Sequence, residues 1–202
     1  MPLMAQEDKT PTIIVYSCAM PHRECARYYT EGKHAVTSLF RSLSSQCYEQ
    51  RMKNRSRFPR FLSKRDADRI DKGAFALMLD TEGFIAEGTG ANIFFVLDGV
   101  LYTSKTRNIL GGISRQYVIR LAAQLQLKVI EEDITLYEAY NAEEAFWTTS
   151  SYCVLPISMI DGRRIGARYP GPVASKLLSA WSQNVGVDIV GQAQAFAGRS
   201  DK

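Results

Sequence analysis

The stretch from Phe75 to Thr103, FALMLDTEGFIAEGTGANIFFVLDGVLYT, most constrains what this chain can fold into. Phe75, Leu77 and Leu79 alternate with Ala76, Met78 and Asp80, the two-residue period of a half-buried strand. Thr81-Glu82-Gly83 turns the chain, and Phe84-Ile85-Ala86 leads into Glu87-Gly88-Thr89-Gly90-Ala91. A third apolar run, Asn92 to Val96, ends at Asp98-Gly99, a favoured hairpin dipeptide. Three successive antiparallel strands are therefore expected. Glu87 and Asn92 stand out in this company, because a carboxylate among apolar residues needs a charged or hydrogen-bonded partner. Glu87 reads either as part of a site on a rigid sheet or as the cap of a solvent-facing, glycine-rich bulge.

The rest of the chain is consistent with a packed globular protein. Its 202 residues are 46% hydrophobic, enough for a real core. The start, MPLMAQEDKTP, carries no apolar segment behind a basic one, and no run approaches the roughly 20 apolar residues that cross a bilayer. A soluble cytoplasmic protein with no membrane partner is expected. Cys18, Cys25, Cys47 and Cys153 form no Cys-x-x-Cys pair, which fits free thiols in a reducing compartment, and His22 and His34 are too few for most metal sites. The net charge of +4 is unevenly spread: Arg51 to Lys72 holds nine basic residues against three acids, leaving the remainder near −2. Such a block reads as a solvated helix face, a phosphate-binding element or a nucleic-acid contact.

In order along the chain, Thr12 to Ser17 reads as a strand, Pro21 to Tyr29 as a short helix or turn ended by Gly32, and Ala35 to Ser44 as another strand. Phe58, Phe61, Leu62 and Ile70 have helical spacing, so a helix from about Arg57 to Asp71 is expected to lay an apolar stripe on the sheet. Thr106 to Gly112 is a loop. The clearest helix opens at Ile113-Ser114-Arg115 and buries Tyr117, Val118, Leu121, Ala122 and Leu125. Two glycines before a serine at a helix start suit an anion, since the first-turn N–H groups lack intrahelical acceptors; a simple serine cap is the alternative. Thr135 to Glu138 is a capping-box pattern. Ala145 to Ser151 reads as a strand ending in four hydroxyl residues, Thr148 to Ser151, and Cys153 to Ile160 as a further strand turned at Asp161-Gly162. Pro170-Gly171-Pro172 introduces a last helix burying Val173, Leu177, Leu178 and Trp181, and the tail from Gly191 reads as frayed.

Several of these pieces, taken together, resemble one known family. Lys53, Leu79-Asp80-x-x-Gly83, Ala86-Glu87-Gly88-x-x-x-Asn92-Ile93-Phe94, Gly99-x-Leu101, Ile109-Leu110-x-Gly112-Ile113-Ser114-Arg115 and Phe146-x-Thr148 are similar to the class IV, fold-type-IV pyridoxal phosphate enzymes. That group includes branched-chain and D-amino-acid aminotransferases and aminodeoxychorismate lyase. The resemblance covers roughly residues 50 to 185 and implies an α+β fold, a mostly antiparallel, barrel-like sheet packed with helices. It also implies pyridoxal 5′-phosphate as cofactor, with Lys53 as the amine that joins the cofactor aldehyde and carries a proton. Glu87 corresponds to the carboxylate that keeps the ring nitrogen protonated, Ile113, Ser114 and Ser150 to the phosphate cup, and Ser151 to a backbone N–H for the substrate carboxylate. Arg57 stands where relatives often carry a tyrosine near the cofactor's 3′ oxygen, and Asn92 is read as a sheet or turn residue beside Glu87. Gly111 replaces a usual proline, and Thr149-Ser150 replaces Gly-Thr.

On this resemblance, residues 1–50 form an interdomain linker and the first strands of the larger domain, 51–190 the cofactor-binding domain, and 191–202 a frayed tail. The family's small N-terminal domain is expected to be absent. Three functions follow. The first is transfer of an amino group between an amino acid, branched-chain-like or D, and a 2-oxo acid, by a homodimer. The second is lyase chemistry on the same cofactor. The third is an inactive truncated domain whose basic block binds anions or nucleic acid, although nucleic acid is the less favoured partner.

Overall fold

The computed structural model describes residues 12–18, 20, 22–53 and 57–198. The helices are α1 (His22–Ala26), α2 (Tyr28–Glu31), α3 (Phe58–Ile70), α4 (Ile113–Gln124), α5 (Leu136–Tyr140), α6 (Pro172–Val185) and α7 (Ile189–Ala197). The strands are β1 (Lys33–Thr37), β2 (Phe75–Leu79), β3 (Ile85–Gly88), β4 (Asn92–Leu97), β5 (Val100–Ser104), β6 (Val129–Glu132), β7 (Glu144–Thr149), β8 (Cys153–Ile160) and β9 (Arg163–Arg164). They form one sheet in the order β3-β2-β1-β8-β7-β4-β5-β6, with β9 on β8.

The fold is mixed α/β, and the expected antiparallel character holds for part of it. The pairs β2–β3, β4–β5, β4–β7, β7–β8 and β8–β9 are antiparallel, whereas β1 runs parallel to both its neighbours and β6 runs parallel to β5. Chain connectivity explains two of the parallel pairs. The chain passes through α3 between β1 and β2 and through α4 between β5 and β6, and a helical crossover brings the next strand back in the same direction. The sheet also curls: Ser104 Oγ of β5 donates to the Ile85 carbonyl of β3 at 2.8 Å, and Ile85 N donates to the Ile134 carbonyl just beyond β6 at 2.8 Å.

The stretch from Phe75 to Thr103 forms two hairpins rather than a three-stranded meander. β2–β3 lies at one end of the strand order and β4–β5 towards the other. Between them Gly88 N bonds the Ala91 carbonyl at 2.8 Å, and this glycine-rich turn carries β4 away to pair with β7 instead. The core between sheet and helices is aromatic at its centre, where Phe94 and Phe146 stack on adjacent strands with ring centroids 5.3 Å apart.

Most helix expectations hold. α4 buries Val118, Leu121 and Ala122, with Tyr117 and Leu125 at the margin. Thr135 and Glu138 form the capping box of α5. α6 buries Leu177, Leu178 and Trp181, the last edge-on to Tyr117 at 4.7 Å. No helix among the described residues is long and apolar enough to cross a membrane.

Four local readings need correction. Thr12 to Ser17 is not a strand, and Ile13 and Val15 are exposed, because alternation alone supplies no partner edge. The strand expected over Ala35 to Ser44 stops at Thr37, where the Asp161 carboxylate takes both Thr37 N and Thr37 Oγ1. α3 forms as expected, but Phe58, Phe61 and Ile70 point outward. Its buried face is Ser63, Asp66 and Ala67. Small side chains let the helix approach closely, with Ala67 meeting Val36, Ala74 and Ala76, while Asp66 accepts from Leu39 N at 2.8 Å. The region from Gly191 is not frayed over the described residues, since α7 runs to Ala197 and Asp188 caps its N-terminus.

The start of α6 is held from a distance. Glu144 of β7 accepts from Val173 N at 2.8 Å and Ala174 N at 3.0 Å, satisfying first-turn donors that no neighbouring side chain reaches. Gly171 leaves room for this, since a Cβ there would lie 2.2 Å from Glu144 Cδ. Glu144→Ala is expected to destabilise the fold by about 2 kcal/mol, the scale of losing charge-assisted hydrogen bonds. Urea unfolding measures it, and a change within error of wild type would refute the capping role.

Candidate active site

Four segments distant in sequence meet around a cavity of about 290 Å³. Lys53, Arg57 and Arg60 come from the approach to α3 and its first turn. Glu87 and Asn92 come from the end of β3 and the start of β4, Gly112 to Ser114 from the start of α4, and Thr148 to Ser150 from the end of β7. Strand register produces this convergence. Asn92 pairs with Thr148, so the hydroxyl-rich β7–β8 turn lies beside the β3–β4 turn. Thr148 Oγ1 donates to the Cys153 carbonyl at 2.7 Å and braces that turn.

Glu87 is 2% exposed, and its oxygens are well supplied with donors. Oε1 accepts from Arg60 Nη2 at 2.5 Å and from Leu110 N at 3.3 Å; Oε2 accepts from Asn92 Nδ2 at 3.0 Å. Asn92 Nδ2 also donates to the Leu110 carbonyl at 2.9 Å, so it lies beside Glu87, as expected, and fixes the carboxylate against the loop before α4. Burial pushes the Glu87 carboxyl above its ordinary value. The Arg60 charge and hydrogen bond, the Leu110 N–H and the Arg57 charge offset part of that rise.

At the α4 end, Gly112 is the N-cap and offers no side chain to the first-turn N–H groups. A Cβ on Gly112 would fall 2.2 Å from Asn92 Oδ1, so glycine is required for Asn92 to reach Glu87. Ser114 Oγ lies 3.4 Å from Ser150 Oγ, which sets two hydroxyls beside the helix terminus. Arg115, 2% exposed, ties α4 to the sheet by donating to the Ser104 carbonyl at 2.9 Å and to Glu131 at 2.6 Å. This wall offers N–H and O–H donors to an anion, opposite in character to the carboxylate of Glu87.

Lys53, Arg57, Glu87, Ile113, Ser114 and Ser150 all line this cavity. Ser151 does not. It lines an adjacent pocket of about 250 Å³ that shares Gly90, Ala91 and Thr149 with the first. Arg60, the partner of Glu87, was not singled out from sequence. The available signal was its spacing of three from Arg57, which puts both on one face of a helix.

Comparison with known proteins decides the family. The family model described as amino-transferase class IV matches residues 4–160. The chain belongs to this family. It is 48% identical over 106 residues to the branched-chain-amino-acid aminotransferase of Pseudomonas aeruginosa, covering 52% of this chain and 34% of that protein. It is 35% identical over 170 residues to a putative branched-chain-amino-acid aminotransferase of Methanocaldococcus jannaschii, covering 83% of this chain and 57% of that one. Among solved structures, the branched-chain amino acid aminotransferase of Escherichia coli aligns with a TM-score of 0.74 at 30% identity, over 78% of this chain and 52% of that one. The matched stretches span between 34% and 57% of the length of these curated relatives.

The raised Glu87 pKa has a stability consequence with a definite sign. Between the ordinary carboxyl value and the raised one, the folded chain holds a proton that the unfolded chain releases, so stability falls as pH rises through that window. Urea midpoints measured upward from the ordinary carboxyl range are expected to show this decline in wild type relative to Glu87→Gln, which has no group to titrate there. Arg60→Met is expected to carry the decline to higher pH. Parallel profiles for wild type and Glu87→Gln would refute the assignment.

Proposed function

We propose that this chain carries the pyridoxal 5′-phosphate site of an aminotransferase that moves an amino group between an amino acid and a 2-oxo acid. One observation carries the reading: a single cavity has a primary amine, a buried carboxylate, and a helix terminus with two hydroxyls on its walls. The donor set fits the cofactor. Ser114, Ser150 and the uncapped first turn of α4 suit a phosphate dianion, and Glu87 suits a protonated ring nitrogen. When bound, the cofactor supplies an aldehyde and an electron-accepting ring.

In this reading Lys53 is the nucleophile for the aldehyde and the carrier of the α-proton, for which an unprotonated amine is needed. Glu87 holds a proton at the ring nitrogen. Asn92 and Leu110 N keep Glu87 in place, and Arg57 adds positive charge near the ring's oxygen substituent. Ile113 and Ser114 at the start of α4, with Ser150, bind the phosphate. Ser151 N–H receives the substrate carboxylate in the adjacent pocket, which shares Gly90, Ala91 and Thr149 with the cavity. The names of the relatives favour amino-group transfer over the lyase reading and over an inactive nucleic-acid-binding domain. Branched-chain amino acids are the proposed donors on the same support. We also assign a homodimer contact to the apolar surface at the start of α3, where Leu39, Met52, Phe58 and Phe61 are exposed.

The test is absorbance on adding pyridoxal 5′-phosphate, then borohydride reduction and mass spectrometry of the labelled peptide. Wild type is expected to turn yellow and to carry the label on Lys53. Lys53→Ala is expected to lose the reducible species while keeping its unfolding midpoint. A label on another lysine, or a yellow species retained in Lys53→Ala, would remove the reading. Glu87→Gln is expected to retain cofactor and to slow α-proton exchange by about 10²-fold or more. An unchanged exchange rate would remove its role.

A further inference from the structure

The basic block Arg51 to Lys72 lines two separate concavities. Lys53, Arg57 and Arg60 turn towards the cavity described above. Lys64, Arg65, Arg69 and Lys72, further along α3 and at its end, line a separate groove of about 920 Å³ that shares no lining residue with that cavity. Arg27 and Lys33 reach the same groove from the opposite wall, and so does Arg23, which donates to the Phe196 carbonyl at 3.2 Å. Seven cations thus face Glu24 and Asp68 across one concavity.

For the four cations from α3 and its end, no carboxylate among the described residues offsets the charge: none forms an ion pair with Lys64, Arg65, Arg69 or Lys72. Asp68 accepts from Gly73 N at 3.0 Å and so closes the end of α3. Lys33 is 6% exposed, and its ammonium faces aromatic rings in place of an acid: 3.7 Å from the Tyr28 centroid and 4.8 Å from that of Phe75. Arg27 Nη2 donates to Tyr28 Oη at 2.5 Å. Burial raises the Tyr28 phenol, but hydrogen bonds from Lys33 and Arg27 and their charges outweigh it and hold the phenol below its ordinary value. At this wall Lys33 and Arg27 thus both meet the Tyr28 phenol and, among the described residues, no carboxylate.

We propose that this groove binds a small polyphosphate-bearing molecule, through its phosphate chain. Concentrated like charges in a concave wall cost free energy that a multivalent anion offsets on binding. A single phosphate cannot reach cations spread over both walls. The volume lies in the range of small-ligand clefts, and the cations line a concave wall as a clamp does, where a nucleic-acid surface presents them outward. The groove shares no lining residue with the cavity of Lys53 and Glu87, and it borders the Ser151 pocket through Glu24, Cys25, Phe75 and Thr89.

The probe is inorganic tripolyphosphate, titrated calorimetrically into the full chain at about 50 mM salt, with ATP and a single-stranded oligonucleotide as parallel arms. Tripolyphosphate and ATP are expected to bind comparably. The Lys64→Glu/Arg69→Glu double variant is expected to weaken both by about tenfold or more, as phosphate contacts of this kind do. Arg65→Gln, a milder change, is expected to weaken them several-fold with an unaltered unfolding midpoint. Ser114→Asp, which puts a negative charge into the other cavity, is expected to leave tripolyphosphate binding unchanged. The proposal is overturned by any of four results: no tripolyphosphate binding below about 1 mM, binding by the oligonucleotide alone, equal affinity in the double variant, or loss of binding in Ser114→Asp.

Discussion

A carboxylate sealed inside a protein must be given donors, and the arrangement around Glu87 follows from that requirement. Removing an ionised group from water without partners costs far more than a domain's net stability, so the fold either pairs it or neutralises it. Here Arg60, Asn92 and Leu110 N converge on Glu87 from three parts of the chain. Each contact fixes an element that also lines the cavity: the first turn of α3, the start of β4 and the loop leading to α4. Satisfying one buried charge therefore assembles the walls of the site.

That assembly works only because the sheet brings distant segments together. The parallel placement of β1 beside β2 and of β6 beside β5 needs helical crossovers, and those crossovers are α3 and α4. The first turns of both helices then face the cavity, one carrying Arg57 and Arg60 and the other uncapped N–H groups. A purely antiparallel meander would have placed the same sequence motifs along an edge, with no opposed walls.

Periodic and punctuated features were legible in the sequence. The alternation in β2, the Asp98-Gly99 hairpin, the capping box of α5 and the apolar stripe of α4 each depend on residues a few positions apart, so short-range patterns reveal them. Motifs in a fixed order singled out Lys53, Glu87, Ile113, Ser114 and Ser150, and all five line one cavity. What was not legible depends on tertiary neighbours. α3 inverts its apparent stripe: Ala67 packs with Ala74 and Ala76 and Asp66 bonds Leu39 N, while Phe58 and Phe61 stay exposed. The pairing of β4 with β7 depends on where a glycine-rich turn sends the chain. Arg60 was hidden within a charge run, where nothing local distinguishes one arginine from the next.

Among the described residues the buried acids are Asp66, Asp80, Glu87 and Glu144, and comparing them isolates the one that faces a cavity. Asp80 accepts from Glu82 N, Phe84 N and Asn108 Nδ2, and Asp66 from Leu39 N and Ser38 Oγ. Glu144 accepts from Val173 N and Ala174 N. All three close turns or helix ends, chiefly through backbone donors, and none of them lines the cavity. Glu87 alone draws its strongest partner from a long side chain that itself lines a cavity, and an ion pair of that kind adds little to stability compared with an apolar pair of similar volume. Its placement is thus poorly explained as scaffolding. It is well explained if a cationic group of a ligand is to meet a carboxylate already stripped of water, where the attraction between them is least screened.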